Sequence, residues 1–206
     1  MINHYPTLIK AIGKINLLQK RRCLPILVSI DGGSGAGKST LASVMANKLD
    51  AIIIPIDDFF SGNIPEDKWD KFTTKEKLEN VFDWQRLRNF VLKPLLNSKP
   101  AKWQSLDFEL GIQSDGTYKL KSEFTYRNPA KVILLEGAYS SSPKLIDLVD
   151  LSILIDVDIK KRYFQLELRE SREFLEKWHQ RWDDVEKYYY SRIRPKSSYD
   201  LILKFE

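Results

Sequence analysis

The sequence predicts an α/β protein with a doubly wound, five-stranded, mainly parallel sheet flanked by helices. Two features lead there. Four short runs, Leu24 to Ile30, Ala51 to Ile56, Val132 to Leu135 and Leu151 to Val157, are almost unbrokenly apolar and rich in β-branched residues, as strands covered on both faces must be. Helical patterns separate several of them, the alternation that a parallel sheet needs. A fifth run, Tyr199 to Phe205, supplies the last strand.

The remaining elements follow in chain order. Leu8, Ile9, Ile12, Ile15 and Leu18 fall at helical spacing, so residues 1–22 are expected to form an accessory amphipathic helix packed on the domain. Over 98–129, Trp103, Leu106 and Phe108, then Tyr118, Leu120 and Phe124, flank a Ser114-Asp115-Gly116 turn signal, which predicts an inserted antiparallel hairpin over the sheet edge. Residues 160–194 are expected to form a helical lid and the helix after it. There Phe174, Trp178, Trp182, Val185 and Tyr189 recur four, four, three and four residues apart, a stripe read as core packing.

A chain of 206 residues, 43% hydrophobic and 30% charged, suits one domain, 1–206, with a real core. Subtracting 28 acidic from 33 basic side chains leaves +5, which fits anionic small molecules as well as nucleic acid. The densest basic run, Lys20-Arg21-Arg22, is read as a solvated loop, and no zinc finger, bZIP heptad or RNA-binding aromatic signature accompanies it. Nucleic acid is therefore not an expected partner. The lone Cys23 excludes an intramolecular disulfide framework or a thiolate zinc cluster and fits a reducing compartment, so a cytoplasmic location is expected. No run approaches the ~20 apolar residues of a membrane helix, and no membrane association is expected. His4 and His179 are too far apart to form a local ligand pair and are read as surface residues.

The most specific signal is Gly32-Gly33-Ser34-Gly35-Ala36-Gly37-Lys38-Ser39, which follows the first strand and runs through Thr40 into a helix start. This is a P-loop. Its glycines let consecutive backbone N–H groups surround a polyphosphate at a helix N-terminus, so Gly32 through Thr40 are expected to bind ATP. Lys38 should reach the β- and γ-phosphates, and Ser39 should bind Mg²⁺. Asn47-Lys48-Leu49-Asp50 spells a guanine-reading motif but sits at the end of the P-loop helix, and no D-x-x-G occurs, so it is set aside.

In an open parallel sheet the ligand site lies beyond the carboxyl ends of the strands. Two ends carry acids: the second strand runs into Asp57-Asp58-Phe59-Phe60 and the third into Glu136-Gly137. Phosphoryl transfer to an alcohol needs a carboxylate to take the hydroxyl proton and a coordinated metal to offset phosphate charge. Asp57 and Glu136 could supply these, whereas an isolated Asp57 or Asp58 could equally cap a helix or sit in a solvated turn.

Together these residues resemble the uridine kinase, phosphoribulokinase and nicotinamide riboside kinase family, from Leu24 onward. The resemblance implies that Asp57 is the catalytic base, that Glu136 is a magnesium ligand or contacts a metal-bound water, and that Asp83, in Val81-Phe82-Asp83-Trp84, grips sugar hydroxyls. Asp83 could instead cap the helix that follows. Arg162 and Arg169 look like lid arginines that close over phosphates, a task suited to a planar fork. Phe108, with Trp103, could wall the acceptor or belong to the core. The chain departs from uridine kinases at Gln165 and Leu166, where they carry adjacent arginines, and at Leu106-Asp107-Phe108-Glu109-Leu110-Gly111, which lacks the Tyr and His that recognise a pyrimidine. The expected activity is ATP- and Mg²⁺-dependent phosphorylation of a hydroxyl on a small molecule such as a nucleoside or related riboside, with uridine a poor substrate. A P-loop regulator or ATPase switch is the alternative. The sequence leaves the oligomeric state open.

Overall fold

The computed structural model describes residues 5–205. Five strands, β1 (Ile26–Asp31), β2 (Ile52–Pro55), β5 (Val132–Glu136), β6 (Leu151–Asp156) and β7 (Leu201–Lys204), form one sheet in the order β2-β5-β1-β6-β7. Every pair in it is parallel. The last strand, less apolar than the others, is parallel too. Side chains alternate across the sheet, so Leu27, Ile133 and Leu135 enter one core cluster while Ile26, Val28, Ile30, Val132 and Leu134 enter the other. This is the doubly wound arrangement that the apolar runs predict.

Helices α1 (Tyr5–Arg21) and α2 (Lys38–Leu49) cover one face, where Ala11, Ile15, Ala42 and Met45 are fully buried. Asp50, the last residue of the Asn47 to Asp50 motif, is the left-handed C-cap of α2 at φ 48°. The other face carries α3 (Glu66–Trp69), α4 (Thr74–Asn80), α5 (Trp84–Arg86), α6 (Lys93–Leu96) and α8 (Arg172–Tyr188), with α7 (Ile159–Glu167) packed beside α8. Four of these helices start on N-cap side chains: Thr73 and Glu76 form a capping box, and Asp83, Asp158 and Ser171 each accept a first-turn N–H. Between α5 and α6 the ladder widens into a π-helical stretch, Leu87–Leu92. Pro94, just beyond it, has no N–H to return one turn back. None of the described helices is long and apolar enough to cross a membrane.

The insertion forms its own two-stranded antiparallel sheet, β3 (Ala101–Trp103) with β4 (Thr125–Arg127), prolonged by one bridge between Leu106 and Leu120. Its tip closes where Gln113 N–H donates to Thr117 O at 2.8 Å, with Gly116 at φ +80°. Ala101 and Trp103 are buried in the same cluster as Leu87, Val91 and Leu92, so the hairpin is anchored on the helical stretch after Asp83. Two local expectations are corrected. Lys20 and Arg21 close α1 and Arg22 pairs with Asp150, so the basic run ends a helix, where cations meet unpaired carbonyls, rather than forming a loop. Phe174 is 50% exposed, and Leu175 takes its place in the buried stripe with Trp182, Val185 and Tyr189, because the start of α8 projects past the core.

Candidate active site

β1 delivers the chain at Asp31 into the loop Gly32–Gly37, and α2 starts at Lys38. Glycine is needed here for close approach. A Cβ on Gly33 would fall 1.8 Å from Arg162 Nη1, and one on Gly35, which is at φ +78°, would fall 2.3 Å from Arg162 O. Their absence lets α7 lie directly against the loop. Ala36 N–H donates to Gly33 O at 3.1 Å and Lys38 Nζ donates to the same carbonyl at 3.0 Å, which folds the lysine back along its own loop. Gly37, Ser39 and Thr40 remain exposed at the N-terminus of α2, where free N–H groups and the helix dipole favour an anion.

Strand register sets the acids around this cradle. Glu136 is paired with Ile30 of β1 and with Pro55 of β2, so it lies between the P-loop and the turn that carries Asp57. Ser39 Oγ donates to Glu136 Oε1 at 3.1 Å. Asp57 is the second residue of a 3₁₀ turn, Ile56–Phe59, and is exposed at the end of β2. Desolvation raises the Asp57 carboxyl above its ordinary value, and the nearby Lys38 and Arg169 charges partly oppose this. The Glu136 carboxyl is also pushed up, first by burial and then by Asp57. Burial lowers Lys38, against the pull of Asp57 and Glu136. Charges in such a cleft are screened less than in water.

Asp57 and Asp58 serve different neighbours. Asp58 Oδ2 accepts the Trp103 indole N–H at 2.7 Å, and its surroundings include Arg127, Arg86 and Lys121. It ties the hairpin to the turn. Asp83 is held beside the same turn because its N–H donates to Phe59 O at 2.8 Å. Its Oδ1 caps α5 by accepting Arg86 N–H at 3.0 Å, and Oδ2 lies 3.6 Å from Arg86 Nε. The side chain is nevertheless 51% exposed. Phe108 is exposed on the hairpin, 5.6 Å from the Tyr118 ring and 6.5 Å from Phe60, whose other face meets Trp182 at 6.3 Å. These rings form an aromatic wall next to the acidic turn.

On the lid side, Arg169 is exposed and Arg162 is largely enclosed. Arg162 Nη1 donates to Ser34 O at 3.0 Å and pairs with Glu186 Oε1 at 2.6 Å. His179 is not a plain surface residue: its ring lies 4.3 Å from Tyr163, and Nδ1 is 2.9 Å from Asp183. His4 lies outside the described residues.

Sequence reasoning missed two acids. Asp31 is fully buried and accepts six hydrogen bonds: from the N–H groups of Gly32, Tyr139 and Ser141, and from the hydroxyls of Tyr189, Tyr190 and Tyr199. Burial together with the Asp31 charge raises all three phenols and keeps them donors. This network joins the P-loop, the Glu136 loop, the end of α8 and the approach to β7. Tyr139 adopts φ +66° to present its N–H. The second acid is Glu186, whose Oε2 accepts the Ser34 N–H at 2.9 Å. Asp31 carries a faint sequence signal, an acid directly before the glycine loop. Glu186 carries none, being one acid among several on a charged helix.

Comparison with known proteins agrees with this architecture. Residues 27–199 match the model of the phosphoribulokinase / uridine kinase family. A uridine kinase from Clostridium botulinum is 30% identical over 157 residues, 72% of this chain and 70% of that one. Another from Halobacterium salinarum is 25% identical over 171 residues, 82% of this chain and 71% of its own. Among solved structures, D-glycerate 3-kinase from Cryptococcus neoformans shares the fold at a TM-score of 0.58 and 14% identity, covering 87% of this chain and 89% of its own. A chain from Bacillus stearothermophilus described as a possible uridine kinase does so at 0.62 and 19%, covering 94% and 99%. The P-loop, the acids at the strand ends and a family match across most of the chain identify it as a small-molecule kinase belonging to the phosphoribulokinase / uridine kinase family.

Proposed function

We propose that the protein transfers the γ-phosphoryl group of Mg²⁺-bound ATP to a hydroxyl of a small molecule bearing neighbouring hydroxyls, such as a nucleoside or related riboside. The observation that carries this reading is the strand register, which pairs Glu136 with Ile30 of β1 and Pro55 of β2, bonds Ser39 to Glu136 and brings Asp57, just beyond Pro55, to the sheet edge that carries the P-loop. The segment Gly32 to Thr40, through loop N–H groups other than those of Gly32, Ser34 and Ala36, which bond within the protein, holds the phosphates together with Lys38, and Arg162 and Arg169 approach them from the lid. Asp57 accepts the acceptor's hydroxyl proton as its oxygen bonds to the γ-phosphorus and the bond to the β-phosphate oxygen breaks. Ser39 and Glu136 suit Mg²⁺, since both offer oxygen and already lie within hydrogen-bond distance. When bound, the ion offsets negative charge on the phosphates.

Among the described residues no group of three or more His, Cys, Asp and Glu could hold a metal by itself. A magnesium ion shared with phosphate oxygens fits that better than a protein cage. On the acceptor side, the half-exposed Asp83 carboxylate has capacity beyond its cap bond to receive hydroxyl donors. Phe60, Phe108 and Tyr118 offer aromatic faces to the rest of the acceptor. With no Tyr or His at Leu106 and Gly111, uridine should be a poor substrate. The test is a screen of nucleosides, ribosides, sugars and pantothenate-like alcohols for ATP-dependent phosphorylation. A product in which a hydroxyl has become a phosphate ester supports the proposal; ATP turnover without any acceptor refutes it.

A further inference from the structure

A single residue of the P-loop, Ser34, is gripped at both its backbone polar groups, which belong to consecutive peptides, by α8 and α7. Its N–H donates to Glu186 Oε2 at 2.9 Å from α8, and its carbonyl oxygen accepts from Arg162 Nη1 at 3.0 Å from α7. The two gripping side chains also pair with each other at 2.6 Å, and each is only 11% exposed. We propose that Glu186 is a positioning residue of the phosphotransfer site: it fixes the Ser34 peptide and orients the Arg162 guanidinium so that the unused edge of that fork faces a nucleotide phosphate. This rests on the reading of the P-loop as the ATP site.

The chemistry admits only a carboxylate at this position. Both Glu186 oxygens face donors, Arg162 Nη1 on one and the Ser34 N–H on the other. Glutamine has one acceptor end and one donor end, so it would satisfy one partner and confront the other with a second donor. Among the described residues Nη1 is the only Arg162 nitrogen with a hydrogen-bond partner, so Nε and Nη2 keep their donors for an anion. The glycine at 33 belongs to the same device, because a Cβ there would lie 2.5 Å from Glu186 Oε1 as well as on Arg162. Without Glu186, Arg162 would lose its ion-pair partner and regain rotamer freedom, which a phosphate would then have to remove.

The experiment is a double-mutant cycle on Mg²⁺-ATP affinity measured by calorimetry, with Glu186→Gln, Arg162→Ala and both together, which needs no knowledge of the acceptor. Each single change should weaken binding about tenfold, the size of one charge-assisted hydrogen bond, and the pair by clearly less than the product of the two losses, because Glu186 acts in part through Arg162. A merely structural role predicts multiplying losses, and that result, or an unchanged affinity for Glu186→Gln, overturns the inference while leaving the ATP site intact. Wild-type protein that does not bind ATP overturns the proposed function itself. Independently of any variant, hydrogen exchange at the Ser34 amide should be slow both without and with ATP. Fast exchange at that amide, without ATP or with it, would show that the Glu186 carboxylate does not hold it and would also overturn the inference.

Discussion

Replacing Asp57 by Asn preserves side-chain shape but removes the proton acceptor proposed for the transfer step. General-base loss costs about 10²–10⁴ in rate, and the structure places the expected fall toward the upper part of that range. The adjacent acid cannot substitute, because Asp58 is committed to Trp103 at 2.7 Å and lies among Arg86, Arg127 and Lys121 on the hairpin side. ATP affinity should change little, since Lys38 keeps its bond to Gly33 O and Ser39 keeps Glu136. The stability effect has a definite sign. A carboxyl raised from 3.8 in the folded state holds its proton more tightly than in the unfolded chain, so stability falls as pH rises through that window. Asp57→Asn, which like the protonated acid carries no charge, should therefore unfold at no lower temperature than wild type. Asp58→Asn should keep near-normal turnover, and its stability should change little, because burial raises the Asp58 carboxyl as well and an Asn Oδ1 can still accept the Trp103 N–H. Steady-state kinetics with an accepted acceptor and thermal unfolding of both variants decide the matter. If Asp58→Asn carries the kinetic loss, or Asp57→Asn keeps wild-type turnover, the assignment of the base is wrong.

Lys38→Ala should abolish transfer and weaken Mg²⁺-ATP binding in calorimetry while leaving circular dichroism unchanged, because its ammonium bonds only a loop carbonyl and packs no core. The pH profile of kcat/KM should be narrowed at both ends. Its acid limb should lie above the usual aspartate range, because Asp57 must lose a tightly held proton, and its alkaline limb should begin below 10.5, because burial lowers Lys38. Chelating Mg²⁺ with EDTA should end transfer and weaken ATP binding by about tenfold or more; undiminished binding without the metal would count against the roles of Ser39 and Glu136.

The sheet was legible because burial on both faces leaves an unbroken apolar run, and the P-loop because its backbone geometry tolerates few residues besides glycine. Acids at strand ends were legible for a topological reason, since the carboxyl edge of a parallel sheet is where ligands bind. Asp83 shows the limit. One short helix after it satisfies a capping role, and the same carboxylate remains half exposed, so the sequence supports both functions at once. Phe174 shows another, for periodicity gives a face but not where a helix leaves the core. Asp31 and Glu186 depend on donors from segments more than a hundred residues away. No local pattern encodes such a meeting, because it is made by the packing of the lid helix against the loop.

The distribution of charge at the cleft floor explains why these distant contacts matter. Asp31, Asp57, Glu136 and Glu186 all act on Lys38. Two of the four are otherwise occupied: the charge of Asp31 is spread over three N–H groups and three phenols, and Glu186 is matched by Arg162. Asp57 and Glu136 are left to share Lys38, with only a smaller contribution to Asp57 from the exposed Arg169, so negative charge is weakly matched where screening is weak. A bare triphosphate would be repelled there, whereas on the proposed function the same phosphate chain arriving with Mg²⁺ turns Glu136 and Ser39 into favourable neighbours. The loop N–H groups then receive the phosphates as neutral dipoles, which adds no counter-charge to neutralise Asp57. On the proposed function, confining Asp31 and Glu186 to their own partners leaves the exposed Asp57 carboxylate to serve the acceptor side as proton acceptor.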